Sequence, residues 1–222
     1  MKIKTLAIAA ATLAVGAISS QAQVYSQNIV GYVNSAAPSG EYNFWCNPLT
    51  TGNDVLTNIF HNVPGGTTLQ IWNGNGYNSY TFNATGGHWK NGAAIVDNTN
   101  LPPGVGYFIE APSPWTNTFT GQIAVNSGSS ITNSLTGAIT PVGSVVPFGD
   151  VVTNGATINL QVAGGSTLQK WSVSGQTFTA FTFNGTGHNW KIGSLVTNPP
   201  MAVGEGFFIQ ASSATNWVQT SP

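Results

Sequence analysis

The sequence predicts an all-β protein, a tandem duplication of a unit of about 100 residues, each unit a β-sandwich or barrel-like fold with minimal helix. Two observations predict this fold class. Three sequence blocks recur in the same order in both halves of the chain. Within each block, apolar and polar residues alternate between turns rich in Gly and Asn, which is the periodicity of short strands.

The recurring blocks align the two halves of the chain. They pair residues 63–72 with 162–171, 81–86 with 182–187, and 104–111 with 204–211, at offsets of 99, 101 and 100. The offset changes only between blocks, in predicted loops, where insertions are tolerated. We therefore expect two β repeats, residues 23–122 and 123–222.

The first repeat illustrates the predicted elements. Thr67–Trp72 alternates Leu and Ile with polar residues, as a strand does. The Asn-Gly-Asn-Gly sequence that follows predicts a hairpin, because Asn and Gly accept positive φ, and Tyr77–Asn83 is the returning strand. One short helix is predicted at Asn53–Phe60, with Asn53 or Asp54 as its N-cap. Further strands are predicted at Asn28–Asn34, Tyr42–Cys46, Gly106–Ala111 and Thr116–Ile123.

The N-terminal segment has the features of a secretory signal peptide over residues 1–22. Two lysines precede the apolar stretch Leu6–Ile18, and Ser20 and Ala22 are the small residues of a cleavage site. The apolar stretch has about 13 residues, fewer than the ~20 that a membrane-spanning helix needs. We expect cleavage near Ala22 and a secreted, extracellular or cell-surface location.

The scarcity of charge excludes several functions. Charged residues make up 5% of the chain, with five Lys, six acids and no Arg, against roughly 25% in an ordinary soluble domain. A net charge of −1 without a basic cluster excludes an electrostatic nucleic-acid binder. It also excludes a polybasic membrane-surface protein, and no segment beyond residue 22 is apolar enough to be an integral membrane segment.

No catalytic or metal-binding constellation is predicted. The acids stand singly and do not recur between the halves, so the carboxylate pair of a glycosidase is missing. The three His lack metal-binding spacings, and we expect no metal and no cofactor. His88 and His188 are predicted to be polar residues of turns. Cys46, the only cysteine, follows two aromatic residues and is predicted to be a small buried hydrophobic side chain.

The tryptophans fall into two groups. Four occupy matching places in the two halves and are predicted to be core residues: Trp72 with Trp171, and Trp89 with Trp190. The other three, Trp45, Trp115 and Trp217, have no matching Trp. They are the better candidates for ligand-binding residues, as exposed platforms on which sugar rings could stack, although burial is the favoured interpretation for them too.

The chain resembles a family of uncharacterised secreted two-repeat proteins from environmental bacteria. The resemblance covers residues 24–222 and rests on an NIVGYVN strand, an NPL segment, a VPGGTTLQIWNG hairpin and a PPGVGYFI or AVGEGFFI strand. The family signature is similar to a Trp followed by Gly-x-Gly-Phe-Phe, here Gly104–Phe108 and Gly204–Phe208, with Tyr107 replacing the first Phe. It implies secretion and duplication, and it implies no activity.

Three functions remain open. The favoured one is a non-enzymatic structural or adhesive protein of the cell surface or extracellular matrix that associates with itself or with a surface polysaccharide. The opening strand, with Val30 and Val33, and the closing strand near Trp217–Thr220 are the predicted free edges for this assembly. The second function is a carbohydrate-binding module that uses exposed aromatic residues. The third is an extracellular hydrolase.

Overall fold

A computed structural model describes residues 30–125, 128–153 and 158–220. It confirms the predicted fold class, because nearly all regular structure is β and only one short helix is present in these residues. Within the same ranges, no helix has the length and apolar character needed to cross a membrane. The predicted signal peptide, residues 1–22, lies outside the described residues.

The strands and the helix follow one another along both halves. The first half contains β1 (Val30–Ala37), β2 (Tyr42–Cys46), α1 (Leu56–Ile59), β3 (Thr68–Trp72), β4 (Tyr77–Asn83), β5 (His88–Asn91), β6 (Ala94–Ile95), β7 (Gly106–Glu110) and β8 (Trp115–Gln122). The second half contains β9 (Ser130–Leu135), β10 (Thr140–Gly143), β11 (Asp150–Val151), β12 (Thr167–Ser172), β13 (Thr177–Asn184), β14 (Asn189–Ile192), β15 (Leu195–Thr197), β16 (Pro200–Met201), β17 (Gly206–Gln210) and β18 (Thr215–Thr220).

The two halves have the same sheet topology. Each contains a six-stranded antiparallel sheet, in the order β2-β7-β3-β4-β5-β6 and β10-β17-β12-β13-β14-β15. Each also has a two-stranded antiparallel ribbon, β1–β8 in the first half and β9–β18 in the second. The second half adds the short pair β11–β16. The large sheet and the ribbon of each half enclose a core, so each unit is a β-sandwich.

The glycine pairs Gly65-Gly66 and Gly164-Gly165, which precede β3 and β12, lie in turns. Gly66 and Gly165 have φ of +89° and +86°, where a side chain would be strained. Their N–H groups donate equivalent 2.8 Å hydrogen bonds, to the carbonyl oxygens of Phe82 and Phe183. The turn before the hairpin is therefore built in the same way in both halves.

The predicted helix is shorter than expected, and its predicted cap is wrong. The helix comprises only Leu56–Ile59, and Val55 at the N-cap makes no side-chain capping bond. The Asp54 carboxylate instead accepts hydrogen bonds from the hydroxyl of Thr50 (2.8 Å) and the N–H of Thr51 (2.8 Å). Asp54 therefore stabilises the turn that precedes the helix and is not its N-cap.

The matched tryptophans divide between two environments. Trp89 and Trp190 are fully buried in the cores of their own halves, which confirms the prediction for this pair. The Trp190 indole N–H also donates to the Thr153 hydroxyl at 2.6 Å. Trp72 and Trp171 are only half-buried. They lie at the ends of β3 and β12 and do not belong to either unit's core, so the prediction is wrong for this pair.

We expect Trp190→Ala to lower the free energy of unfolding by about 3–5 kcal/mol, because it removes a buried indole and leaves a cavity. Trp72→Ala should cost less, roughly 1–2 kcal/mol, since solvent already reaches its ring. Urea unfolding of both variants and the wild type measures the difference. Equal losses would contradict the placement of Trp72 outside the core.

Candidate interaction surfaces

Trp45, Trp115 and Trp217 are buried, as the favoured interpretation expected, so these candidate ligand-binding residues do not provide exposed stacking platforms. Trp45 packs in the first core beside Trp115, with ring centroids 5.8 Å apart. The Trp115 indole N–H donates to the carbonyl of His61 at 3.1 Å. Both side chains close the core between the large sheet and the ribbon.

Trp217 replaces a buried asparagine of the first half. Its indole N–H donates to the carbonyl of Ile158 at 2.7 Å, and in the first half the Asn117 side-chain amide donates to the carbonyl of Ile59 at 3.1 Å. A buried carbonyl needs a donor, and an indole and an amide both supply one. The first half has no Trp at the position equivalent to Trp217 because Asn117 supplies the required hydrogen-bond donor there.

The two halves meet in a contact that we call the seam: the end of β2 against the residues before β17, and the end of β10 against the residues before β7. The N–H of Cys46 donates to the carbonyl of Gly204 at 2.9 Å, and the N–H of Gly143 donates to that of Gly104 at 3.0 Å. Isolated bridges join Trp45 to Glu205 and Val105 to Val142. These paired contacts use equivalent positions, so the seam has approximate two-fold symmetry.

The glycines of the Gly-x-Gly signature permit this close approach. A Cβ at Gly106 would lie 3.0 Å from the main-chain nitrogen of Val142, and one at Gly206 would lie 2.8 Å from the carbonyl oxygen of Trp45. Gly104 has φ of +83°, and its Cβ would lie 2.6 Å from a methyl carbon of Val145. Any side chain at these positions would push the halves apart.

The two consecutive aromatic residues of the signature pack on opposite faces of each large sheet. Tyr107 and Phe207 are buried in the cores of their own halves. The next residues, Phe108 and Phe208, point the other way and join Phe44 in a separate buried cluster at the seam. Phe44 stacks on Phe208 with centroids 4.7 Å apart. The signature thus links each core to the contact between the halves.

The hairpin β12–β13 extends the seam across the first half. Trp171 packs edge-on against Phe108 at 5.1 Å, and its indole N–H donates to the carbonyl of Tyr42 at 2.7 Å. The Gln176 side chain accepts a hydrogen bond from the N–H of Tyr42 and donates one to its carbonyl. Trp171 is therefore half-buried by the other half of the molecule.

Cys46 lies in the seam and is completely buried, as its prediction as a small hydrophobic side chain required. Burial, reinforced by the charge of Glu205, raises the pKa of the Cys46 thiol to about 12. The thiolate is the reactive form of cysteine, so this residue is neutral and unreactive in the folded protein.

A cleft of about 280 Å³ opens at the seam beside Asn43, Trp171 and Glu205. Glu205 is the single acid among its lining residues, and it forms an ion pair with Lys170 (3.1 Å) and accepts the N–H of Ala202 (2.9 Å). The cleft does not offer the carboxylate pair that hydrolysis of a glycosidic bond requires.

His88 pairs with Asp97, its Nδ1 lying 2.6 Å from a carboxylate oxygen whose partner oxygen accepts the N–H of Trp89. No third His, Cys, Asp or Glu joins them in the described ranges. His188 has positive φ, +47°, in the turn before β14, as a turn residue does. The His88–Asp97 pair holds the β5–β6 hairpin to the segment that follows it.

The outermost strands of the large sheets, β6 and β15, carry exposed apolar side chains. No further strand pairs with their outer edges in the described part of the chain. The exposed fraction is 66% for Leu195, 57% for Val196 and 58% for Ile95. Neither strand contains a charged residue. Lys90 and Lys191 stand opposite Ile95 and Val196 on the neighbouring strands.

The opening strand β1, the predicted assembly edge, has one unpaired edge in the part of the chain that the structure describes, but its candidate residue Val33 is half-buried. β1 pairs with β8 on one side only, so its other edge is without a strand partner in the described residues. Val33 is half-buried against the first core, and the side chain of Val30 lies outside the described atoms. Val33 is therefore only partly exposed, and Tyr32, which is 74% exposed, is the large apolar side chain that β1 presents to solvent.

In comparisons with protein-family models, curated proteins and solved structures, nothing matches this chain.

We expect the buried Cys46 thiol to make stability depend on alkaline pH. The unfolded thiol ionises near pH 9.0 and the folded one near 12, so its contribution is complete below pH 9 and is lost as pH rises towards 12. Above pH 9 the wild-type unfolding free energy should fall more steeply than that of Cys46→Ala, by about 1.4 kcal/mol per pH unit. Parallel curves from urea unfolding at pH 7 to 10.5 would contradict this.

Proposed function

We propose that this protein is a secreted, non-enzymatic structural or adhesive component of the cell surface or extracellular matrix, and that it works by self-association through β15 and β6. The observation that carries the proposal is the exposed apolar side chains on free edge strands. An unpaired edge presents main-chain donors and acceptors to which a strand of a second copy can add.

The side chains of β15 favour a strand partner over solvent. Leu195 and Val196 are consecutive, so they point to opposite faces of the sheet, and both are more than half exposed. Ile192, 42% exposed, adds apolar surface on the adjoining strand. A strand added at this edge would shield apolar groups on both faces of the sheet.

Charge offers little resistance to this pairing. If β15 of one copy paired with β15 of another, the two Lys191 ammonium groups would be three strand spacings apart, about 14 Å. That distance exceeds the screening length of about 8–10 Å at physiological salt. Native edges are usually protected by charged residues on the edge strand itself, and β6 and β15 have none.

The duplication makes the association open-ended. β6 and β15 occupy equivalent last positions in their sheets, so each molecule offers two related edges. A subunit with two such edges binds two neighbours and extends a chain. A surface layer or matrix requires growth of this kind.

We expect Val196→Lys to reduce self-association by at least tenfold in the apparent association constant without unfolding the protein, because the side chain is exposed and a charge opposes edge pairing. Sedimentation velocity over a concentration series measures the effect. The matched control is Tyr32→Lys, which adds the same charge to an exposed residue of β1.

If Tyr32→Lys reduces self-association and Val196→Lys does not, the contact between copies is at the opening strand and not at β15. A wild-type protein that stays monomeric at millimolar concentration would overturn self-association. Binding of that monomer to insoluble polysaccharide would favour the carbohydrate-binding alternative. The surface for it would then be Tyr77 and Phe178, equivalent aromatic residues that are 39% and 38% exposed.

We expect the mature protein to begin within a few residues of Gln23, because Ser20 and Ala22 provide the small residues that signal peptidase needs. The intact mass of protein collected outside expressing cells tests this. A mass that retains Lys2 and Lys4 would show that the segment is not removed.

A further inference from the structure

The seam is nearly symmetric, and one position breaks the symmetry. Cys46 and Gly143 are equivalent, since each ends the first strand of its large sheet and each donates its N–H across the seam. The two residues face each other. A Cβ built on Gly143 would lie 2.1 Å from the Cys46 sulfur and 2.4 Å from its Cβ.

The glycine is needed for space and not for its backbone conformation. Gly143 does not have positive φ, so an L-residue would be unstrained there. The nearest obstacle is the Cys46 side chain itself, and the next is the carbonyl oxygen of Glu205 at 3.1 Å. The thiol therefore fills a space that Gly143 leaves open.

We propose that the Cys46–Gly143 pair makes the seam selective, so that the first half accepts a second half as its partner, in the same chain or from a second copy, and rejects another first half. Two first halves would bring two Cys together with Cβ atoms about 2.4 Å apart. That is a clash, and it is also too short for a disulfide, which needs about 3.5–4.5 Å. Two second halves would place Gly against Gly and leave a void.

This selectivity addresses a hazard of duplicated chains. Both halves present the same glycine and aromatic signature at the seam, so like halves of neighbouring molecules could otherwise pair during folding. Misassembly between similar units is a characteristic failure of repeat proteins. The proposal concerns the seam alone and does not depend on association through β15.

The first experiment is a mutant cycle on thermal stability. Gly143→Ala should lower Tm by roughly 5 °C, because the added methyl group overpacks the seam. Adding Cys46→Gly should restore at least half of that loss. The control is Gly76→Ala, where a Cβ meets nothing within 4 Å and φ is not positive. Additive losses in the double variant would overturn the proposal.

The second experiment measures selectivity in the full chain. Wild type, Cys46→Gly and the exchange variant Cys46→Gly with Gly143→Cys are each combined with Val196→Lys, which keeps edge association out of the measurement. Each is unfolded, refolded at high concentration and examined by sedimentation velocity. Cys46→Gly should give at least threefold more dimer than wild type, because like halves can then pair.

The exchange variant should give the same dimer fraction as wild type. Its Cys lies on the second half and should prevent two second halves from pairing, as Cys46 prevents two first halves from pairing in wild type. An equal dimer fraction in all three proteins would overturn the proposal. So would a high dimer fraction in the exchange variant together with the native Tm, since that protein would be folded and unselective.

Discussion

The close approach of main chains at the seam is the constraint on which the rest of the structure depends. The N–H groups of Cys46 and Gly143 reach carbonyls of the opposite half, which leaves no room for side chains at Gly106 and Gly206. Residues next to this contact alternate between the unit cores and the seam, as strand geometry requires. The signature aromatics therefore pack two hydrophobic clusters at once, and the loss of one glycine would disturb both.

The two halves preserve backbone requirements more closely than side chains. The carbonyls of Ile59 and Ile158 are both satisfied, one by the amide of Asn117 and the other by the indole of Trp217. The fold buries this carbonyl in both halves, and a buried carbonyl without a hydrogen bond is destabilising. The fold does not dictate which side chain donates the hydrogen bond. Duplicated units can consequently diverge in sequence while the strand order and the turns stay the same.

The seam and the free edges lie at opposite ends of each large sheet. β2 and β10 are used in the contact between halves, and β6 and β15 remain as the last strands of their sheets. In the described residues, the core-facing side chains of each unit are already covered by its ribbon. Ile95, Leu195 and Val196, three of the exposed apolar side chains, lie on these edge strands. Main-chain groups are also unpaired there within the described ranges, and these two features together support association with another strand.

The sequence by itself determined the all-β class, the duplication and most strand positions, because alternation and turn residues act locally and recur in both halves. The sequence predicted the burial of Trp89 and Trp190 from the same recurrence that was wrong for Trp72 and Trp171. It did not determine the fate of Trp45 or Trp217, since burial depends on which face another part of the chain covers. The location of the exposed edges was likewise decided by the order of strands in the sheets. That order follows from contacts between residues far apart in the chain, which no local pattern encodes.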